Sequence, residues 1–273
     1  MASPRRLAGP FALLVVSSLA AASAPEVAPR VQGPLAVTGE GLATSALIPG
    51  VANNPGQFFS YFTTDVTLMN PARLGRLALV LEALSGEGKI AGSKTLELAP
   101  GGFTTLRNVL FQMGVFGGHV LLVRVDPARS TADAASFAAW AATKTANPIG
   151  PGEYGVTLPV LAVVPLSAEV DGVTAGVEIT AARRTNVGVI NQSADTLTVT
   201  VRAVDASGAT AGEKLFTLPG WGFAQLPLSN FVAGRLEEGA VLFVNGSGRY
   251  VGYVVVNDNS SNDAFFEVAT PSP

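Results

Sequence analysis

Short segments in which apolar and polar residues alternate recur along this chain, and two of them are nearly the same. Residues 64–70 read Thr-Asp-Val-Thr-Leu-Met-Asn, and residues 185–191 read Thr-Asn-Val-Gly-Val-Ile-Asn. The alternation in each predicts a strand with one buried face. Each segment ends at an asparagine, a residue that hydrogen-bonds nearby backbone and closes strands. The chain therefore contains one structural unit twice.

Further positions repeat at an almost constant separation. Phe103 and Phe223 lie 120 residues apart, as do six other pairs of identical residues. Those pairs are Gly88 with Gly208, Gly92 with Gly212, Lys94 with Lys214, Leu98 with Leu218, Leu106 with Leu226, and Phe111 with Phe231. Thr64 and Thr185 lie 121 residues apart, which implies one inserted residue. Solenoid and propeller repeats span about 20–50 residues, so this longer period fits two whole domains.

Each unit carries about seven short strand-like segments with turn residues between them, a pattern typical of an immunoglobulin-like fold. Residues 77–84 and 197–204 form one such pair, and a glycine-containing turn follows each. We therefore predict an all-β protein of two tandem immunoglobulin-like antiparallel β-sandwiches. Domain 1 is predicted over residues 45–157, and domain 2, opened by the apolar residues 158–164, over residues 158–273.

Two segments of the first unit are less regular. Residues 109–111 predict a short turn of helix. The alanines of residues 134–143, with Phe137 and Trp140 three apart, are typical of a helix by propensity and spacing. The second unit is plainly β at the corresponding place. We therefore predict a strand over residues 137–143, with the helix as the alternative.

The N-terminus has the order of a secretory signal peptide. Arg5 and Arg6 precede an apolar run over residues 11–16, and small residues continue to Ala24. We predict a signal peptide over residues 1–23 and a linker over residues 24–44. The run is shorter than the ~20 residues of a membrane-spanning helix, so an uncleaved anchor is the weaker alternative. The mature protein is then secreted or at the cell surface, with the periplasm as a further location.

Composition narrows the classes of partner. The net charge of −3 provides no basic surface for nucleic acid, and charged residues are only 14% of the chain. The chain has no cysteine, which excludes disulfides and thiolate metal sites. We expect an extracellular protein or glycan as partner, no nucleic acid, no cofactor and no transmembrane span in the mature chain.

The order of the motifs resembles that of a known group of proteins. A Thr-Asp or Thr-Asn strand ending in Asn comes first, then a hydrophobic strand, a Gly-containing turn and a Pro-Gly pair. A Gly-led hydrophobic strand follows, and the last strand ends in Asn-Asp-Asn at residues 257–259, with Asp263 close behind. Over residues 45–269 this resembles a family of secreted bacterial proteins with two tandem immunoglobulin-like β-sandwich domains. The resemblance implies export and fold, and no established catalytic activity. The first copy departs from it over residues 126–153.

His119 is the only histidine, and it follows Gly117 and Gly118 at the start of a predicted strand. A serine hydrolase needs a base beside its serine, usually histidine, and no Gly-x-Ser-x-Gly motif surrounds any serine here. One histidine without cysteine also disfavours zinc. We expect His119 to be an ordinary strand-end residue, and we predict no catalytic, cofactor-binding or metal-binding residue.

Acidic residues offer two further candidate sites. Glu237 and Glu238, or Glu82 and Glu97, could supply the paired carboxylates of a glycosidase, although adjacent glutamates usually lie in a solvated turn. The oxygens of residues 258–263, from Asp258 to Asp263, could bind Ca²⁺. That segment lacks the EF-hand order, and a loop capped by its own side chains is favoured.

Four aromatic residues precede the strand at residues 64–70. They are Phe58, Phe59, Tyr61 and Phe62. Such a cluster is either a platform on which sugars stack or filling at the end of a sandwich core. Core filling is the favoured interpretation, because large aromatic side chains are usually buried.

Three hypotheses of function remain. The first is a non-catalytic extracellular or cell-surface module for binding, adhesion or structural support, in which rigid sheets present loops to a partner. The second is a carboxylate-based glycoside hydrolase or a carbohydrate-binding protein with a cleft between the domains. The third, an outer-membrane barrel, is disfavoured by an aromatic content of only 7% and by the period near 120.

The signal peptide can be checked at the N-terminus of the exported protein. We expect mass spectrometry of the secreted chain to show Ser23 or Ala24 as the first residue, because small residues precede these cleavage points. A chain that keeps Arg5 and Arg6 after export contradicts the prediction.

Overall fold

The computed structural model of the chain describes residues 43–56, 60–131, 136–146, 153–162, 170–245, 247–261 and 263–272. All of them belong to one compact unit spanning residues 34–273. The predicted signal peptide and nearly all of the predicted linker lie outside the described residues.

The first sandwich contains nine strands and one short helix. In chain order they are β1 Ser45–Pro55, β2 Tyr61–Met69, β3 Leu77–Leu84, β4 Ile90–Leu98, β5 Phe103–Leu106, α1 Val109–Gln112, β6 Gly117–Val125, β7 Ala138–Ala146, β8 Glu153–Leu158 and β9 Leu161–Ala162. One layer has the order β4-β3-β6-β1, with β9 beside β1, and the other has β5 and β7 on either side of β2, with β8 at the edge. The end of β1 crosses to pair with β2 and joins the layers. The strand pairs are antiparallel throughout.

The second sandwich repeats this arrangement strand for strand. Its elements are β10 Gly172–Ile179, β11 Arg183–Asn191, β12 Leu197–Asp205, β13 Thr210–Leu218, β14 Phe223–Pro227, the 3₁₀ turn Leu228–Asn230, β15 Leu236–Asn245, β16 Tyr250–Asp258, β17 Ala264–Val268 and β18 Thr270–Pro271. The order is β13-β12-β15-β10-β11-β16-β17, with β14 beside β11 and β18 beside β10. The predicted fold class of two tandem sandwiches is confirmed.

Each sandwich buries its own apolar core between its layers. In the first, Leu79 and Leu121 from one layer pack with Val66 and Leu68 from the other. In the second, Val199, Val241 and Phe243 meet Val187 and Val189 in the same way. Every second residue of these strands points inward, which is why the alternation in sequence marks the core.

The two asparagines that close the repeated segments hold matching corners of the sandwiches. Asn70 is fully buried; its Nδ2 donates to the carbonyl groups of Gly75, Leu98 and Ala99, and its Oδ1 accepts from the Ala72 amide. Asn191 does the same in the second sandwich, donating to Asp195, Leu218 and Pro219 and accepting from Ser193. One amide side chain thus satisfies several backbone groups that no strand partner reaches.

Two details of the sequence prediction can be compared with the structure. Residues 138–146 form strand β7, so the predicted strand is confirmed against the helical alternative, and α1 begins at Val109 as expected.

The predicted boundary between residues 157 and 158 falls inside the first sandwich. Leu158 pairs with Ala141, and Leu161 pairs with Leu47. The apolar residues 158–162 therefore complete the first sandwich, because Leu158 is buried in its core.

A third apolar cluster lies between the sandwiches. It joins the outer face of β1, β3 and β6 to the outer face of β11, β16 and β17, two sheet faces packed against each other. The first sandwich contributes Leu47, Leu84 and Val120, and the second contributes Ile190, Val251, Tyr253 and Val255.

The turn after β3 extends this contact to the backbone of the second sandwich. The Phe223 amide donates to the Gly86 carbonyl at 3.1 Å. A Cβ placed on Gly88 would lie 1.9 Å from the Gly220 carbonyl oxygen, so only glycine fits there. Glycine also tolerates the left-handed φ of 72° at this position. The two sandwiches are therefore held by both apolar packing and close backbone approach.

The buried asparagines supply a stability test. We expect Asn70→Ala and Asn191→Ala each to lower the free energy of unfolding by about 2–4 kcal/mol, because each substitution leaves several buried carbonyl groups without a hydrogen-bond donor. Urea denaturation followed by circular dichroism measures the loss. The exposed Gln112, whose side chain makes one hydrogen bond to Arg107, supplies the control. Gln112→Ala should change the free energy by about 0.5 kcal/mol or less, and equal losses in all three variants would contradict the assigned role.

Candidate functional site between the sandwiches

A cleft of about 400 Å³ opens at the edge of the contact between the sandwiches. Its walls come from β1, β2, β6, β7 and β8 of the first sandwich and from β11, β14, β16 and β17 of the second. The described residues that line it include no Asp, Glu, Lys or Arg. The cleft is therefore an apolar and neutral polar site, with a volume at the lower end of the range for small-molecule pockets.

Aromatic rings of the second sandwich form one wall. Tyr253 is fully buried and stacks on Phe266 with a ring-centroid distance of 4.9 Å and an interplanar angle of 14°. Gly188, directly opposite Tyr253 on β11, makes room for this ring, because a Cβ there would lie 2.1 Å from it. The Tyr253 hydroxyl donates to Gln225 Oε1 at 2.9 Å. Burial raises the pKa of Tyr253 well above its ordinary value, so the hydroxyl stays protonated.

A β-bulge shapes the opposite wall. The register of β1 against β6 shifts between Ile48 and Val51, and Gly50 adopts a φ of 69° there. Phe266 reaches across from the second sandwich, with its ring 3.4 Å from the place a Gly50 Cβ would take. Bulges of this kind redirect the side chains that follow them. Here the bulged strand carries Asn54 to the cleft.

Two buried polar atoms on this wall lack hydrogen-bond partners among the described residues. They are the Asn54 amide oxygen Oδ1 and the His119 ring nitrogen Nδ1. Asn54 uses only its Nδ2, which donates to the Pro55 carbonyl. His119 sits opposite Val51 and is only 8% exposed. A buried polar atom left unpaired costs free energy, so these two atoms indicate a place where a ligand group can bond.

The protonation state of His119 follows from its burial. Burial lowers the pKa of the imidazole, and a weaker backbone interaction with Gly117 opposes the shift. The ring is therefore neutral at physiological pH, with one nitrogen donating and the other accepting. His119 lies near the start of β6, as the sequence predicts, and its side chain also lines the cleft.

The segment considered for calcium is, where the structure describes it, a loop closed by its own side chains, as the sequence favours. Asp258 Oδ1 accepts from the Ser260 amide and hydroxyl and from the Ser261 amide. These hydrogen bonds, led by that from the Ser260 side chain, lower the pKa of Asp258 to about 2. Asn262 lies outside the described residues. In the described part of the chain, no group of three or more His, Asp or Glu side chains is placed to hold a metal ion.

The glutamates considered for hydrolysis lie outside the cleft. Glu82 pairs with Arg124 at 2.7 Å, and Glu97 bonds Arg129 at 2.7 Å. Glu237 and Glu238 are exposed at the start of β15. None of the four lines the cleft. They form surface ion pairs or face solvent, an arrangement unlike the facing carboxylates of a glycosidase.

The aromatic residues before β2 are not core filling where the structure describes them. Tyr61 is 43% exposed and donates its hydroxyl to Asn53 Oδ1 at 3.0 Å. Phe62 is half-buried and lines the cleft. The expectation of core filling is wrong for these two, because they lie at the first two positions of β2, where the strand runs past the core. Phe58 and Phe59 lie outside the described residues.

Comparison with known proteins assigns no family. No protein-family model matches the chain, and no curated protein matches its sequence. Among the described residues, no helix is long and apolar enough to span a membrane.

Solved structures with some likeness are glycoside hydrolases of family 2. A β-glucuronidase 2 of Bacteroides uniformis is 12% identical with a TM-score of 0.16, and the match covers 77% of this chain and 26% of that one. A family 2 glycosyl hydrolase of Bacteroides cellulosilyticus is 13% identical with a TM-score of 0.15, covering 77% and 28%. A Ruminococcus gnavus β-glucuronidase is 13% identical with a TM-score of 0.16, covering 82% and 35%. At TM-scores this low the likeness supports no conclusion about this chain, which spans about a quarter to a third of those enzymes.

The burial of His119 predicts how it titrates. Because it is the only histidine, its ring protons are unambiguous in an NMR titration. We expect a midpoint below the ordinary 6.5, since burial penalises the charged ring. A midpoint at or above 6.5 contradicts the buried, neutral imidazole.

The lowered pKa of His119 also makes the stability of the folded chain depend on pH. A histidine whose pKa is lower in the folded state binds its proton more readily when unfolded, so stability falls as the pH drops through 6.5. His119→Gln should therefore lose less stability between neutral and mildly acidic pH than the parent chain, as measured by urea midpoints.

Proposed function

We propose that this protein is a non-catalytic extracellular binding module that holds a neutral, hydroxyl-rich ligand, such as a glycan, in the cleft between its sandwiches. The observation that carries the proposal is a pair of buried polar atoms, Asn54 Oδ1 and His119 Nδ1, that have no hydrogen-bond partner among the described residues and line the same cleft as the stacked rings of Tyr253 and Phe266.

The chemistry of the lining selects the class of ligand. Asn54 Oδ1 accepts hydrogen bonds only, and neutral His119 offers one donor and one acceptor. A hydroxyl group can serve both, because it donates and accepts. The amides of Asn186 and Asn257 at the same cleft add further donors and acceptors. The aromatic and apolar lining suits the carbon-bound faces of a sugar ring.

The absence of charge in the described lining argues against charged ligands and against hydrolysis at this place. Arg and Lys, the usual partners of carboxylate and phosphate, do not line it. A glycosidase needs one carboxyl group as acid and a second as base or nucleophile within about 5–10 Å of each other. The described lining offers neither, so binding without bond cleavage is the function that the cleft supports best.

An extracellular setting agrees with this interpretation. The chain lacks cysteine and has a net charge of −3, and its N-terminus has the pattern of an export signal. The cleft is already formed by the packed sandwiches, and a preformed site favours affinity for a weakly contacting ligand.

Glycan binding tests the proposal directly. We expect the purified chain to bind neutral glycans on an array, with the best binder then measured by calorimetry. Asn54→Ala removes a free acceptor and should weaken binding by about tenfold. Gln112→Ala serves as the matched amide control, because the exposed Gln112 does not line the cleft, and it should bind as the parent chain does. Binding confined to acidic glycans, or an equal effect of both substitutions, contradicts the assigned cleft.

A further inference from the structure

The contact between the sandwiches uses two different faces of the same repeated unit. We call the outer face of β1, β3 and β6, which carries Leu47, Leu84 and Val120, the docking face. We call the outer face of β11, β14 and β16, which carries Ile190, Phe223, Val251 and Tyr253, the receiving face. Because the unit is duplicated, the second sandwich has its own docking face and the first has its own receiving face.

Strand register identifies the second docking face. Leu47 lies opposite Leu122 in the first sandwich, and Val173 lies opposite Leu242 in the second. Leu84 lies opposite Val120, as Val204 lies opposite Ala240. The second docking face therefore carries Val173, Val204, Ala240 and Leu242, all apolar like their counterparts.

Burial differs between the two docking faces at three of their four positions, while Leu122 and its counterpart Leu242 are both half-buried. Leu47, Leu84 and Val120 are buried beneath the second sandwich. Val173, Val204 and Ala240 are only half-buried. The same apolar surface is thus covered once and left partly open once.

Two pairs of equivalent glycines show the same difference in how closely the two docking faces are covered. A Cβ on Gly50 would touch Phe266 at 3.4 Å, and one on Gly88 would meet the Gly220 carbonyl oxygen. Their counterparts are Gly176, at the bulge of β10 with the same φ of 69°, and Gly208, in the turn after β12. A Cβ on either counterpart would have nothing within 4 Å. The second docking face keeps the geometry that fits a neighbour, but no described part of the chain packs at these two glycines.

The first receiving face is open in the same sense. Thr67 lies opposite Trp140 as Gly188 lies opposite Tyr253, so Trp140 takes the place of the buried Tyr253. Trp140 is 42% exposed. Phe103, the counterpart of Phe223, is 72% exposed. Two large aromatic side chains on one sheet face, with the half-buried Met69 between their strands, make an apolar surface that a soluble monomer rarely leaves uncovered.

The ion pair on the first receiving face lies at positions whose counterparts in the second sandwich face the cleft and not the apolar contact. Asp65 and Lys144 form an ion pair at 3.2 Å. Their counterparts by register are Asn186 and Asn257, which line the cleft instead of the apolar contact. A sandwich docked on the first receiving face in the same way would cover Phe103 and Trp140 and leave this ion pair in solvent.

We propose that copies of this chain associate head to tail, with the docking face of the second sandwich of one copy on the receiving face of the first sandwich of the next. The intrachain contact is the template for this interface. Ala138 and Ala142 replace Val251 and Val255, so the contact between copies buries less apolar surface and is the weaker of the two.

The symmetry of such a contact decides what it builds. The two faces differ, so the contact is heterologous, and each added copy presents a fresh face of each kind. The assembly grows into a filament, or closes into a ring if the rotation per copy permits. Self-association of an exported chain in this manner is independent of any ligand in the cleft.

Sedimentation velocity of the purified chain over a range of concentrations tests the proposal. We expect the weight-average sedimentation coefficient to rise with concentration. Leu242→Arg on the docking face and Trp140→Asp on the receiving face should each weaken self-association by at least about tenfold. Leu215→Arg is the matched control, because the exposed Leu215 lies on the same sheet face as Leu242. Its counterpart in the first sandwich, Thr95, is exposed although that sandwich makes the intrachain contact, so we expect Leu215 to lie outside the contact between copies.

Mixing the two variants separates this contact from a symmetric one. The Leu242→Arg chain keeps an intact receiving face, and the Trp140→Asp chain keeps an intact docking face. An equimolar mixture should therefore form dimers and nothing larger, which also shows that both variants fold.

Three results would overturn the proposal. They are a parent chain that stays monomeric at every concentration, a mixture that stays monomeric while the parent associates, and a Leu215→Arg chain that loses association as fully as Leu242→Arg.

Discussion

Packing of one sheet face on another, between two sandwiches that each have a complete core, is the constraint on which the rest of this structure depends. Leu47 and Val120 meet Ile190 and Tyr253 in that contact, and Gly88 lets the turn after β3 touch the backbone at Gly220. The cleft exists only because this contact fixes two walls at a set distance. Its shape is therefore a property of the pair of sandwiches, and neither sandwich carries it alone.

The repeated architecture could be predicted from the sequence because its causes are local. Alternating residues mark the two core faces, and Asn70 and Asn191 mark matching corners, so one short segment read twice reveals the duplication. The boundary between the two sandwiches, predicted near residue 157, is not marked by such a local pattern. Leu158 and Leu161 are apolar in either sandwich, and only strand pairing shows that they close the first.

The cleft could not be predicted from the sequence, because its parts are individually unremarkable and far apart in the chain. Asn54 resembles any turn asparagine, and His119 resembles any histidine at a strand end. One signal was present. Residues 250–256 are apolar on both faces of the strand, which is typical of a strand covered on both sides, whereas the corresponding strand β7 carries Thr143 and Lys144. That asymmetry between otherwise equal units pointed to a contact on the second sandwich's outer face.

Duplication with a contact between unlike faces always leaves one face of each kind without a partner inside the chain. Repeat proteins usually resolve this by making the outer faces of their terminal units polar. In this chain the outer face of the first sandwich is only partly polar. Thr67 and Thr105 replace Gly188 and Gln225 on the first receiving face and bond each other at 2.9 Å, which makes that part of the sheet more polar. Phe103 and Trp140 nevertheless stay exposed on the same face. Two large exposed rings on one sheet face favour a surface that is covered when copies of the chain meet.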